Sequence, residues 1–129
     1  MSRPPKERTE AGREAEDRVC RYLRERGVRI VSRNFRARGG EIDIVARDGD
    51  VLCFVEVRFR EEDGHGLPEE SVGAAKRRRI ASAAGAYLAT ISPGSWREAR
   101  FDVAAVDGGD AGTVIRYYPG AFDARGRIL

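Results

Sequence analysis

"GGEIDIVARDGDVLCFVEVRFR" (residues 39–60) holds two strand patterns joined by a turn. Ile42, Ile44 and Ala46 alternate with Glu41, Asp43 and Val45, the two-residue period of a strand with one face buried. "DGD" (48–50) is a hairpin signal, and "VLCFVEVRFR" (51–60) reads as the return strand. These segments are the most core-like of the chain, yet they carry Glu41, Asp43 and Glu56 close to Arg58 and Arg60. A desolvated carboxylate is costly unless it is paired, protonated or bound to a metal. The stretch is therefore a solvated sheet face, an internal salt-bridge lattice or a metal site.

The turn decides which side chains meet. A two-residue turn at Asp48-Gly49 opposes Glu41 to Glu56, whereas one at Gly49-Asp50 opposes Asp43 to Glu56 and Glu41 to Arg58. Both registers put Asp43 and Glu56 on one face, within ~5–8 Å in a flat ladder. A three-residue turn would separate them. Two carboxylates that close repel, and a proton, a cationic side chain or a metal must neutralise them. Arg58, two residues beyond Glu56, is one partner. A divalent cation is another, because hard oxygen donors from few protein groups, completed by water and phosphate, suit Mg²⁺.

Outward from the hairpin, residues 11–26 have apolar side chains at 11, 15, 19, 22 and 23, a helical spacing stopped by Gly27. "VRIVSRNF" (28–35) is a short strand that "RARGG" (36–40) breaks. After a loop over 61–68 comes the longest helix, 69–90, with a stripe of Val72, Ala75, Ile80, Ala83, Ala84, Tyr87 and Leu88. Strands follow at 98–106 and 113–119. The order α-β-β-β-α-β-β predicts an α/β fold with a mixed sheet. We expect a disordered tail over 1–10, one domain over 11–123 and a C-terminal tail over 124–129.

The 129 residues are 41% hydrophobic and 35% charged, with 24 basic and 21 acidic side chains. A net charge of +3 is a mild bias towards polyanions, and the clusters say more: "RNFRAR" (33–38) and "KRRR" (76–79) either hold phosphates or are solvated faces. Cys20 and Cys53 sit in apolar patterns and are expected as buried thiols. No apolar run approaches the ~20 residues of a membrane span. No signal-peptide pattern opens the chain, so no membrane association and a cytoplasmic location are expected. The lone His65 lies in a loop, and Trp96, Tyr117 and Tyr118 read as core or interface residues. The "GG" before "EID" is too short to cradle a phosphate, and there is no Walker or dinucleotide glycine pattern.

"GEID" followed by "FVEVRFR" resembles the YraN-like family of small bacterial proteins. "AED" (15–17), "RN" (33–34), "GLPEESV" with Lys76, "RFDV" (100–103) and "AF" (121–122) extend the resemblance in order along nearly the whole chain. That family is similar in pattern to archaeal Holliday junction resolvases and the PD-(D/E)xK nuclease group. The resemblance implies a restriction-endonuclease-like core, a mixed sheet flanked by helices. It implies metal ligation by Asp43 and Glu56, with Glu16 as the acidic residue of the first helix. It puts Arg58 where the group's catalytic lysine stands, and leaves Glu41 behind the ligands.

The activity that the resemblance implies is Mg²⁺- or Mn²⁺-dependent phosphodiester hydrolysis on structured or branched DNA, with Asp43, Glu56 and Arg58 as the catalytic set. Arginine stays protonated at any ordinary pH, so Arg58 stabilises phosphorane charge but is no base. The alternative is a non-catalytic nucleic-acid-binding module with a degenerate nuclease site. Lys76, Arg77, Arg36 and Arg38 are the expected phosphate contacts, and a homodimer fits paired cuts across a two-fold junction.

Overall fold

The computed structural model describes residues 9–60, 72–108 and 112–129. The chain runs α1 (Glu10–Glu25), β1 (Arg29–Ala37), β2 (Gly40–Asp48), β3 (Val51–Arg60), α2 (Ala74–Leu88), a 3-10 turn (Pro93–Ser95), β4 (Glu98–Asp107) and β5 (Val114–Phe122). This is the predicted order. α1 begins where Thr9 Oγ1 accepts the Gly12 N–H at 2.9 Å, a side-chain cap for one of the orphan donors of the first turn. It ends at Gly27 (φ 80°), where the Val28 N–H closes back onto the Leu23 carbonyl at 3.0 Å.

Among the described residues five strands form one sheet in chain order, with β3–β4 parallel and the other neighbours antiparallel. A parallel pair needs a crossover, and α2 lies in it. On one side of the sheet, Leu52, Phe54, Phe101 and Phe122 pack with Ile80, Ala83, Ala84 and Tyr87 of α2. On the other, Ile44, Cys53, Val55 and Val106 pack with Ala15, Val19, Cys20 and Leu23 of α1. β3 and β4 are thus covered on both faces, which is why their sequences are nearly continuous apolar runs.

Several boundaries differ from the sequence expectation. β1 continues through Arg36 and Ala37, which pair with Glu41 and Gly40, so only Arg38 and Gly39 form the turn. Gly40 is there because the backbone of α2 passes over it: a Cβ at this position would lie 2.1 Å from the Arg79 carbonyl oxygen. α2 starts at Ala74, with Val72 buried ahead of it and Ala75 exposed rather than part of the stripe. Residues 124–129 are not a loose tail. Ile128 bridges to Phe122, the Leu129 N–H reaches the Ala121 carbonyl at 3.2 Å, and the Gly126 carbonyl takes Nε of Arg77 at 2.6 Å. Most of the expected N-terminal tail, the 61–68 loop and His65 lie outside the described residues.

Candidate active site

The hairpin closes through Gly49 and Asp50. Asp48 faces Val51, and Gly49 has φ 65° at the first central position, as a type II′ turn requires. Of the two registers open from sequence, this is the one that directs Asp43 towards Glu56. Pairing runs as far as Ile44↔Val55, where the β2–β3 ladder ends among the described residues, and one further step sets Asp43 opposite Glu56. The Val57 N–H donates to Asp43 Oδ2 at 2.9 Å, so the carboxylate takes the place of a main-chain acceptor beside Glu56. Both acids are buried, at 3% and 2% exposure.

Glu56 follows Leu52 and Phe54 in the strand alternation and so faces α2. There Lys76, in the first turn of α2, puts Nζ 2.7 Å from Glu56 Oε1. A carboxylate this buried needs such a cation, since desolvation otherwise outweighs any gain. Arg58, next on the same face, is half-buried. Glu16, also buried, belongs to the α1 side, with Nη2 of Arg33 3.5 Å from its Oε1 and 2.8 Å from Asp17 Oδ1. Among the described residues no three histidine, cysteine, aspartate or glutamate side chains gather closely enough to hold a metal ion. The expected trio Glu16, Asp43 and Glu56 is therefore not assembled as a cage. What the fold brings together is the pair Asp43 and Glu56, with Lys76.

The expected phosphate contacts divide. Arg36 at the end of β1 and Arg38 in the β1–β2 turn have exposed side chains, Arg36 Nε lying 3.6 Å from Glu41 Oε2. Arg77 serves the fold instead, because its guanidinium donates to the Val72 and Gly126 carbonyls and pins the C-terminal residues to the start of α2. Lys76 is at the acidic pair and not on an open basic face.

The sequence matches the model for "Uncharacterised protein family UPF0102" over residues 15–106. The chain belongs to the UPF0102 family. It is 48% identical over 117 residues to a UPF0102 protein of Anaeromyxobacter dehalogenans (strain 2CP-C), covering 90% of this chain and 86% of the relative. A UPF0102 protein of Syntrophotalea carbinolica is 45% identical over 120 residues, 93% of this chain and 97% of its own. One from Dechloromonas aromatica is 51% identical over 100 residues, 78% of this chain and 81% of its own. The YraN-like resemblance read from the motifs agrees with this membership.

This UPF0102 chain holds a further buried acid that the motif "RFDV" marked without a role. Asp102 is fully buried and accepts from Tyr117 Oη, from the Gly120 N–H at 2.9 Å and from Nε of Arg100 at 3.1 Å. It sits where the β4–β5 register shifts and supplies the acceptors that the interrupted ladder lacks. Burial, then the Asp102 charge, pushes the Tyr117 hydroxyl well up from its ordinary value and the Cys53 thiol to about 11. Cys20 is raised as well, chiefly by burial. Both thiols are free and buried, as expected. Sequence reasoning also missed Asn34, a strand residue whose backbone φ is 58°. Among the described residues no helix is long and apolar enough to cross a membrane.

Proposed function

We propose that this UPF0102 member is an endonuclease-like protein that hydrolyses phosphodiesters of structured or branched DNA with a bound divalent cation. The observation that carries the reading is the pair of buried carboxylates, Asp43 and Glu56, at the end of the β2–β3 ladder, with Lys76 2.7 Å from Glu56. The donor set fits Mg²⁺ or Mn²⁺: Asp43 and Glu56 would hold it, and Mg²⁺ prefers one or two carboxylates with water and phosphate oxygens to a full protein cage. Such a cation supplies Lewis-acid polarisation of the phosphate and a bound water of lowered pKa.

The chain's own groups divide the remaining work. Val57 fixes the orientation of Asp43 through its N–H. Arg58 stays protonated and offers charge to the phosphorane. Lys76 Nζ engages Glu56 and donates hydrogen bonds, so it is the side chain suited to orient a water where the motif lysine is missing. Arg36 and Arg38 supply sequence-blind phosphate contacts.

The test is incubation of the protein with Mg²⁺ or Mn²⁺ and four-way junction, flap, single-stranded and duplex DNA. Metal-dependent cleavage lost in folded Asp43→Ala and Glu56→Gln is expected. No cleavage of any substrate, or cleavage that survives Asp43→Ala, removes the claim of catalysis. One observation favours a second reading, a non-catalytic nucleic-acid-binding module: arginine at 58 and a lysine already engaged by Glu56 describe a neutralised site. That module binds the same DNA without Mg²⁺ and weakens steeply with salt.

A further inference from the structure

β1 and β2 exchange faces at one level. In a regular strand Ile42 and Ile44 point to the same side, yet Ile42 packs in the α2 core and Ile44 in the α1 core. The neighbouring strand does the same: Phe35 packs on the α2 side while Arg33 reaches Glu16 and Asp17 of α1. The register holds across the change, with Arg33 opposite Ile44 and Phe35 opposite Ile42. The inversion therefore falls on the residues between them, Asn34 and Asp43.

Asn34 has φ 58°, and it alone among the described non-glycine residues has a positive φ. L-residues enter that region against a steric cost, which asparagine bears better than most. Its Oδ1 is buried and accepts no hydrogen bond from the described residues, so the position uses the backbone angle and not that acceptor. At the crossing point Asp43 is directed along the sheet, where its Oδ2 meets the Val57 N–H. The ladder ends at the same level.

We propose that Asn34 is a positioning residue: its left-handed backbone inverts both strands and so turns the Asp43 carboxylate into the gap between β2 and β3, beside Glu56. The structural part stands alone, and only its consequence for a cation rests on the nuclease reading. Two variants separate backbone from side chain, because glycine adopts a positive φ freely and alanine does not. The readouts are amide hydrogen exchange at Val57, with Val55 in the intact ladder as reference, and Mn²⁺ affinity.

N34G is expected to keep Val57 protection within about twofold of the parent, and N34A to lose about tenfold with Val55 unchanged. Mn²⁺ affinity should follow, falling about tenfold in N34A and recovering in N34G. If N34A leaves Val57 protected, or N34G loses protection as N34A does, the proposal is overturned. If the parent shows no Mn²⁺ affinity, the metal reading fails while Val57 exchange still decides the role of Asn34. Should N34A not fold, N34D and N34K carry the comparison. Aspartate tolerates the left-handed region and lysine does not, so N34D keeps Val57 protection and N34K loses it, and equal behaviour of the two overturns the proposal.

Discussion

Replacing Lys76 by methionine keeps most of the aliphatic stem and removes the ammonium, which tests the ion pair on its own. Glu56 has a side chain only 3% exposed, Lys76 one that is 28% exposed, and the two meet at 2.7 Å. Breaking a fully buried pair costs about 3–5 kcal/mol, because it strands a charge in a poorly polarisable site. Water reaches the lysine side of this pair and screens it, so the expected loss is smaller, about 2 kcal/mol. Urea unfolding with an unchanged m-value should therefore shift its midpoint by roughly 1 M for a slope of about 2 kcal/mol/M. Adding Glu56→Gln removes the stranded charge, and Lys76→Met with Glu56→Gln should return to within about 1 kcal/mol of the parent. A Lys76→Met loss under about 0.5 kcal/mol, or a double variant no more stable than Lys76→Met, would refute the view that this pair neutralises the site.

Gly40→Ala forces a methyl group onto the Arg79 carbonyl, so α2 must shift; unfolding should show a loss of at least about 2 kcal/mol. In DNA titrations Arg36→Ala with Arg38→Ala should lower the slope of log affinity against log salt by up to about 1 per residue. Arg77→Ala should leave that slope unchanged and lower stability, since its guanidinium serves the Val72 and Gly126 carbonyls. Cys53 predicts a pH effect. Its folded pKa of about 11 lies above the ordinary 9.0, so the folded state keeps a proton that the unfolded state loses. The associated stability is complete below pH 9 and declines as pH rises towards 11, by on the order of 2 kcal/mol. Unfolding free energies measured across that window should fall less steeply in Cys53→Ala.

The hairpin was legible because two signals agree: the glycine in "DGD" selects a tight turn, and alternation marks both flanking segments as strands, although Ile42 and Ile44 end on opposite sides of the sheet. The order of elements followed from the same periodicities. The Glu56–Lys76 contact was hidden, since the two residues are joined only by the crossover and no local periodicity pairs them. Asp102 was hidden for a like reason, its donors Tyr117 and Gly120 coming from β5. The face inversion at Asn34 escapes pattern reading because alternation assumes one φ region throughout a strand. The C-terminal residues looked like a tail, yet an arginine on α2 and backbone contacts to the end of β5 hold them.

The central claim is that Asp43 and Glu56 together hold a divalent cation, and Mn²⁺ titration by calorimetry tests it most directly. One saturable site in the parent chain, absent from Asp43→Asn and from Glu56→Gln variants that retain native circular dichroism, is the predicted result. No Mn²⁺ binding by the parent, or binding that persists in both folded variants, would contradict it.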